Sequence, residues 1–381
     1  MIAPTWPLRL LLLLFLVPWS ARGGQAVVVD ATTGASPEGT LTIRFLDVGQ
    51  GDAVLLQLPD RKTVLVDGGK PDGGADHQLR ELGIERIDLL IASHADYDHA
   101  GVHEEILKNF DVVTYITNGR GHTSKSHQRI TALATQQVAM GELTLYRAGD
   151  FAMGHDLGSG GVELRLMPPP VIAEAKQNAQ SIGLVVVYGT FKALMTGDSE
   201  KKETDLWLAQ ARARKLIAEV DVYKAIHHGA RDGDASNRAW LTRVSPDVVV
   251  VTVGRNSYGH PTDEALAAYD GQGAQVLRTD QDGGVVVWIG PDGNYGVEAG
   301  ERLRPTPTLS PEELARSGVG SGGDRPQGAA CPEDRPIKGN QGQRAWIYHR
   351  PGQEYYEATT PEACFINAEE AEAAGYRASK R

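Results

Sequence analysis

The sequence predicts a layered α/β protein, on three observations. Short β-branched runs recur from Leu41 to about Gly300, among them LTIRFLDV, KTVLVDGG, DLLIASH, SIGLVVVYG, KALMTGD, DVYKAIHH, DVVVVTVG and GVVVWIGP, with the length and composition of buried strands. Stretches with helical patterning lie between some of them, at Asp76 to Leu82, Glu200 to Glu219 and Asp263 to Asp270. Gly is abundant at 44 residues while aromatics make up only 6%, which suits many tight turns between short strands.

Taken in chain order, residues 1–22 read as a signal peptide. Arg9 is followed by the apolar run Leu10 to Val17 and then by Pro18, Trp19, Ser20 and Ala21. This run is far shorter than the roughly 20 apolar residues of a membrane span. Export to a secreted or periplasmic location is the expectation, with an uncleaved anchor as the alternative because Trp19 and Arg22 blur the exit. Residues 41–300 form the α/β body. Residues 301–330 turn to Pro, Ser, Gly and charge and read as a flexible linker, and residues 331–381 form a small C-terminal module. The two cysteines, Cys331 and Cys364, both fall in that module, where a disulfide is favoured over a metal site that would need two further ligands nearby.

Composition excludes several classes. Apolar residues at 41% and charged residues at 23% are ordinary for a globular chain, which argues against wholesale disorder and against a polytopic membrane protein. The 38 basic and 49 acidic residues leave a net charge of −11, so any grip on a polyanion must be local rather than by bulk charge.

The chemistry concentrates in Ser93-His94-Ala95-Asp96-Tyr97-Asp98-His99-Ala100-Gly101, directly after the apolar run DLLIAS. Two imidazoles and two carboxylates crowded at the end of a buried strand repel and desolvate one another unless a cation neutralises them. Neutral imidazole and carboxylate are ligands for Zn²⁺ or Mn²⁺. Alternation along an extended segment would send His94 and Asp96 one way and Asp98 the other, which suggests two sites. Asp67 in VLVDGG, Asp198 in LMTGDSE, His227 and His228 in AIHHGARDG, and His260 in VTVGRNSYGHP also follow apolar strands. Singly, Asp198 serves equally well as a helix cap, either of His227 and His228 as a core imidazole, and His260 as a turn residue before Pro261. Their joint placement at strand ends is what points to one centre.

The motifs FLDVGQGDA, VDGG, SHADYDHAG, TGDSE, HHG and YGHP, in this order, resemble those of the metallo-β-lactamase-fold hydrolases, and among these the extracytoplasmic hydrolase domain of the ComEC competence proteins. The resemblance covers about Leu41 to Gly300. It implies an αββα metallo-β-lactamase sandwich with a dinuclear site for two divalent metal ions, Zn or Mn, at one edge of its two sheets. It further implies that His94 and Asp96 hold one ion, that Asp98, His99 and one of His227 and His228 hold the other, that Asp198 bridges them, that Asp67 orients the metal loop, and that His260 meets the substrate's phosphate or completes the ligand set. The implied chemistry is hydrolysis of a phosphodiester. Asp98 or Asp198 would orient the attacking water, and His260 or His227 would steady the leaving oxygen. Two departures stand out. Asp96 replaces the commoner second His, and Gln177-Asn178-Ala179-Gln180-Ser181 stands where a third His usually precedes the GD motif. Both speak against a β-lactamase.

In the C-terminal module, Trp346, Tyr348, His349, Tyr355, Tyr356 and Tyr376 interleave with Lys338, Arg344, Arg350, Arg377, Lys380 and Arg381. Such a pattern either stacks bases and pairs phosphates or builds a small core. The pattern resembles a small α+β module, related to the Ada metal-binding fold, appended to exported bacterial nucleases, which implies attachment to DNA or to the cell surface. The leading expectation is an exported metal-dependent nuclease with DNA as its partner. The alternatives are a hydrolase of a small or wall-linked phosphodiester, and an inactive nucleic-acid-binding protein.

Overall fold

The computed structural model describes residues 39–172, 176–301 and, in the C-terminal part, 331, 336–341, 346–353, 356, 359, 361, 363–368, 371 and 377–379. The signal segment 1–22, the linker from 302 to 330, and Arg344, Tyr355, Tyr376, Lys380 and Arg381 lie outside the described residues, as do the side chains of Trp346 and Arg377. No helix among the described residues is long and apolar enough to cross a membrane.

The predicted strands all form. The first sheet collects β1 (Leu41–Phe45), β2 (Ala53–Gln57), β3 (Thr63–Asp67), β4 (Arg86–Ile91), β5 (Asp111–Thr117) and β6 (Thr144–Arg147). The second collects β7 (His155–Asp156), β8 (Glu163–Met167), β9 (Gly183–Tyr188), β10 (Phe191–Met195), β11 (Val222–Lys224), β12 (Val248–Val251) and β13 (Gln275–Arg278). The chain then returns to the first sheet with β14 (Gly284–Ile289) and β15 (Tyr295–Glu301). The strand orders are β15-β14-β1-β2-β3-β4-β5-β6 and β13-β12-β11-β10-β9-β8-β7.

Strand periodicity explains the four layers. In β12, Val248 and Val250 enter the core between the sheets, while Val249 and Val251 enter the core under the helices of the second sheet with Trp207, Trp240 and Tyr269. In β4, Leu89 and Ile91 face the other sheet, while Leu90 between them packs under the helices His103–Asn109 and Lys125–Met140 of the first sheet. Both faces of these strands are dry, which is why they read as unbroken apolar runs. The result is the αββα sandwich that the motifs imply.

The helix expected over Glu200 to Glu219 is two helices, Lys201–Ala209 and Ala211–Leu216, separated by an extended Gln210 (φ −87°, ψ 117°). The break lets Trp207, Ala213 and Ile217 all reach the same core.

The C-terminal part forms its own sheet, β16 (Ile337–Gln341), β17 (Trp346–His349), β18 (Ala363–Phe365) and β19 (Arg377–Ala378), in the order β18-β16-β17-β19. Cys331 and Cys364 are bonded. Tyr348 is fully buried with Ile337, Phe365 and Ala371, so it serves the small core rather than a base-stacking surface. Lys338 is buried too, 4.5 Å from the Tyr356 ring centre and donating to the Tyr356 carbonyl at 3.0 Å.

Candidate metal centre

Topology brings one end of each sheet to a common rim. β3, β4, β5 and β6 run parallel, as do β10, β11, β12 and β13, and the carboxyl ends of β3, β4, β10, β11 and β12 deliver Asp67, His94, Asp198, His228 and Thr252. Because β2 pairs antiparallel to β3, with Ala53 opposite Asp67, the residue before β2, Asp52, arrives at the same edge. Open α/β sheets hold ligands outside the carboxyl ends of their strands for this reason.

The turns are tight enough to require glycine. Gly51 has φ +146°, and a Cβ there would lie 2.2 Å from the Asp98 carbonyl oxygen, which accepts the Asp52 amide at 3.0 Å. At Gly197, φ +54°, a Cβ would lie 2.7 Å from Ser93 Oγ. Asp67, His227 and His228 themselves take left-handed φ values of 58°, 50° and 54°, conformations that non-glycine residues hold only where the surroundings over-determine them.

The stretch from Ser93 to Ala100 is not extended. After β4 it bends, and Tyr97–Ala100 forms a helical turn, so His94, Asp96 and Asp98 are aimed by turn geometry and not by strand alternation. Three imidazoles are fixed from behind. His94 Nδ1 lies 3.0 Å from Ser93 Oγ, His99 Nδ1 2.9 Å from Asp67 Oδ2, and His228 Nδ1 2.7 Å from the Thr252 carbonyl. With Nδ1–H donated to oxygen in the latter two, their Nε2 atoms face inward, where each can serve as a ligand once its proton leaves.

Asp67 therefore acts behind the centre. It accepts from Ser93 N at 2.7 Å, from Ser93 Oγ at 2.6 Å and from His99.

The inward groups converge. Ligand atoms of His94, His99 and Asp198 lie within 4.8 Å of one another, as do those of Asp98, His99 and His228, and those of Asp52, Asp198 and His228. Asp198 Oδ2 is 3.1 Å from His99 Nε2, 3.5 Å from His228 Nε2 and 3.6 Å from His227 Nε2. The buried His94 Nε2, His99 Nε2, His228 Nε2 and Asp198 Oδ1 nevertheless have no hydrogen-bond partner. Orphaned nitrogen and oxygen atoms sharing one buried point are costly unless a cation joins them, so the donor set fits a divalent metal ion.

Of the adjacent histidines, His228 belongs to this cluster. His227 is partly exposed, its Nδ1 3.2 Å from Asp232 and its Nε2 3.2 Å from Asn178 Nδ2. Asp96 is peripheral, 3.6 Å from His94 Nε2 and 32% exposed at its side chain. His260 does not enter the donor sets; its ring packs edge-on to His227 at 5.3 Å, with the exposed Tyr258 ring 5.7 Å beyond.

Two residues without a role in the sequence reading complete the arrangement. Lys224, buried at the end of β11, forms an ion pair with Asp52, lies 3.7 Å from Asp198 Oδ1 and donates to the Gly197 carbonyl at 3.1 Å. Asp52 in addition accepts from Thr252 Oγ1. The available signals were GQGDA itself and the lysine just before AIHH.

Electrostatics follow from burial opposed by charge. Burial favours neutral imidazoles, but Asp198 and Asp52, joined at His99 by Asp67, outweigh it and hold His99 and His228 well above the usual histidine range. Burial likewise raises the carboxylates, yet His228 and His99 keep Asp98 and Asp198 below their ordinary values, and Lys224 does most to lower Asp52. The pocket thus stabilises positive charge at its centre.

The chain is 27% identical over 264 residues to ComE operon protein 3 of Bacillus subtilis, covering 63% of this chain and 32% of the relative. It is 28% identical over 273 residues to competence protein ComA of Neisseria gonorrhoeae, covering 71% and 35%. It therefore spans about a third of the length of these relatives. A solved metallo hydrolase from Ignicoccus hospitalis superposes with a TM-score of 0.41 at 12% identity, covering 68% of this chain and all of that one. A profile described as ArfC matches residues 315–378. The metallo-beta-lactamase superfamily profile matches residues 46–252, more than half of the chain, and the protein belongs to that superfamily of hydrolases.

Proposed function

We propose that the protein is an exported phosphodiesterase that cleaves nucleic acid, DNA foremost, with two divalent ions, Zn or Mn. The observation that carries this reading is a pair of donor sets, His94–His99–Asp198 and Asp98–His99–His228, with Asp198 in the first and 3.5 Å from His228 Nε2 of the second, so that its carboxylate can serve both while His99, with one free ring nitrogen, serves one. Asp96 adjoins the first set through His94. When bound, such ions polarise a phosphoryl oxygen and activate water at neutral pH.

The chain's own residues do the rest. Lys224 offsets the charge of Asp52 and Asp198, so the carboxylates can crowd without repelling one another apart. Asp98, partly exposed and 3.7 Å from His228 Nε2, is placed to orient the attacking water. His260, half-buried and against His227, is placed to steady the leaving oxygen. Tyr258 and Tyr97, 71% and 52% exposed, offer aromatic faces to bases. One relative's name, competence protein, supports DNA, and the Cys331–Cys364 disulfide supports an oxidising compartment.

The net charge of −11 favours a second reading, in which the substrate is a small or wall-linked phosphodiester. Incubation with plasmid, single-stranded DNA and a chromogenic phosphodiester, with Mn²⁺, Zn²⁺ or EDTA, separates the two. DNA cleavage that EDTA stops and that Asp98→Ala abolishes supports the first reading. Cleavage of the small diester alone supports the second. Absence of any turnover leaves an inert binding protein and overturns both.

A further inference from the structure

Almost every inward group of the centre leans on a partner behind it: His94 on Ser93, His99 on Asp67, His228 on the Thr252 carbonyl, and Asp52 on Lys224 and Thr252. Asp96 obtains no such support from its own segment. It occupies the cap position of the Tyr97–Ala100 turn but makes no side-chain cap bond there. One of its oxygens, Oδ2, faces His94 Nε2 at 3.6 Å. The other, Oδ1, faces Nε2 of His122 at 3.5 Å, from the loop between β5 and the helix Lys125–Met140.

The tautomer of that ring is set by its other nitrogen. The Ser124 amide donates to His122 Nδ1 at 3.1 Å, so Nδ1 carries the lone pair and the ring proton resides on Nε2. His122 Nε2 is consequently a donor and not a ligand. The loop is clamped from a second side. Asn118 Nδ2 donates to the Gln180 carbonyl at 3.1 Å and to Gln177 Oε1 at 3.2 Å, and Gln177 Nε2 donates to the Gly121 carbonyl at 2.9 Å. These bonds tie it to the Gln177–Ser181 stretch, which stands where the related sequences usually place a third histidine.

We propose that His122 is a positioning residue that fixes the rotation of Asp96 through Nε2–H, so that Oδ2 is presented beside His94. The assignment rests on the reading of the cluster as a metal centre. Ligating carboxylates are themselves commonly hydrogen-bonded, and such bonds, long in the metal-free protein, tighten when the site fills.

The test is a titration of the metal-free protein with Mn²⁺ and with Zn²⁺, comparing wild type, His122→Ala and His122→Gln. Absorption of the Co²⁺-loaded forms provides a second readout and melting of the metal-free forms a folding control. H122A is expected to bind one ion as wild type does and the other roughly 10- to 100-fold more weakly, with an altered Co²⁺ spectrum. H122Q keeps an N–H near the Nε2 position and is expected to recover most of that loss. H122A that binds both ions with wild-type affinity overturns the proposal, as does H122Q that fails as completely as H122A while melting like wild type. Wild-type protein that takes up no ion overturns the metal reading itself, and the role of His122 with it.

Discussion

Replacing Asp67 by Asn changes no volume and leaves an oxygen for the Ser93 amide, yet it should disable the centre. At Oδ2 the native carboxylate accepts two donors, Ser93 Oγ at 2.6 Å and His99 Nδ1 at 2.9 Å. An amide nitrogen in that place meets them with N–H. Ser93 can turn its hydroxyl towards His94 Nδ1, 3.0 Å away, but His99 cannot turn. Its relief is to move the ring proton to Nε2, the atom 3.1 Å from Asp198 that a metal would need. Loss of one bond to a charged group is worth about 1.5–3 kcal/mol, or roughly 10- to 150-fold at about 1.4 kcal/mol per decade. The assay is competition for Zn²⁺ against a chelator of known affinity, with urea unfolding of the metal-free protein alongside. D67N should bind at least ~10-fold more weakly and unfold at lower urea. D67N that holds zinc as tightly as wild type would refute the account of how His99 is oriented.

The remaining expectations address separate parts of the molecule. His103 is fully buried against Tyr115, and burial brings its pKa from the ordinary 6.5 down to about 4, so the unfolded chain binds the extra proton. Its contribution is present above pH 6.5 and is lost as pH falls towards 4, by about 3 kcal/mol in full; His103→Gln should flatten that part of the urea-stability profile, and an unchanged slope counts against it. Lys224→Met removes the ammonium paired with Asp52 and set beside Asp198, which should cost the metal-free protein about 3–5 kcal/mol in urea unfolding; a loss below 1 kcal/mol would show that the ion pair does not hold the carboxylates. The Cys331–Cys364 bond closes 33 residues, so its replacement by two serines should lower the stability of the C-terminal module by about 3–4 kcal/mol, measured by proteolysis of that segment, while turnover of the small diester stays unchanged.

Much of this was legible in the sequence because apolar strands are easy to see and the residues just past them share a rim. Asp67, His94, Asp98, His99 and Asp198 were legible for that reason. The choice between His227 and His228 was not, since it depends on two consecutive left-handed residues that turn one ring onto Thr252 and the other onto Asp232. Lys224 lay hidden as the last residue of a strand, where a lysine ordinarily snorkels to water. Asp52 reaches the rim only because β2 runs against β3, a fact of pairing and not of local pattern. His122 follows no apolar strand end directly and is brought in by loop bonds to Gln177 and by the Ser124 amide. The break at Gln210 has neither Gly nor Pro to announce it.

The two donor sets draw on chain segments made at very different times. Asp52, His94, Asp98 and His99 belong to the first sheet, while Asp198 and His228 arrive from the second, about a hundred residues or more later. A half-synthesised polypeptide thus carries neither donor set entire, however well its first sheet has formed. Neither set is complete until both halves have met, so the cluster itself reports that the whole sandwich has assembled.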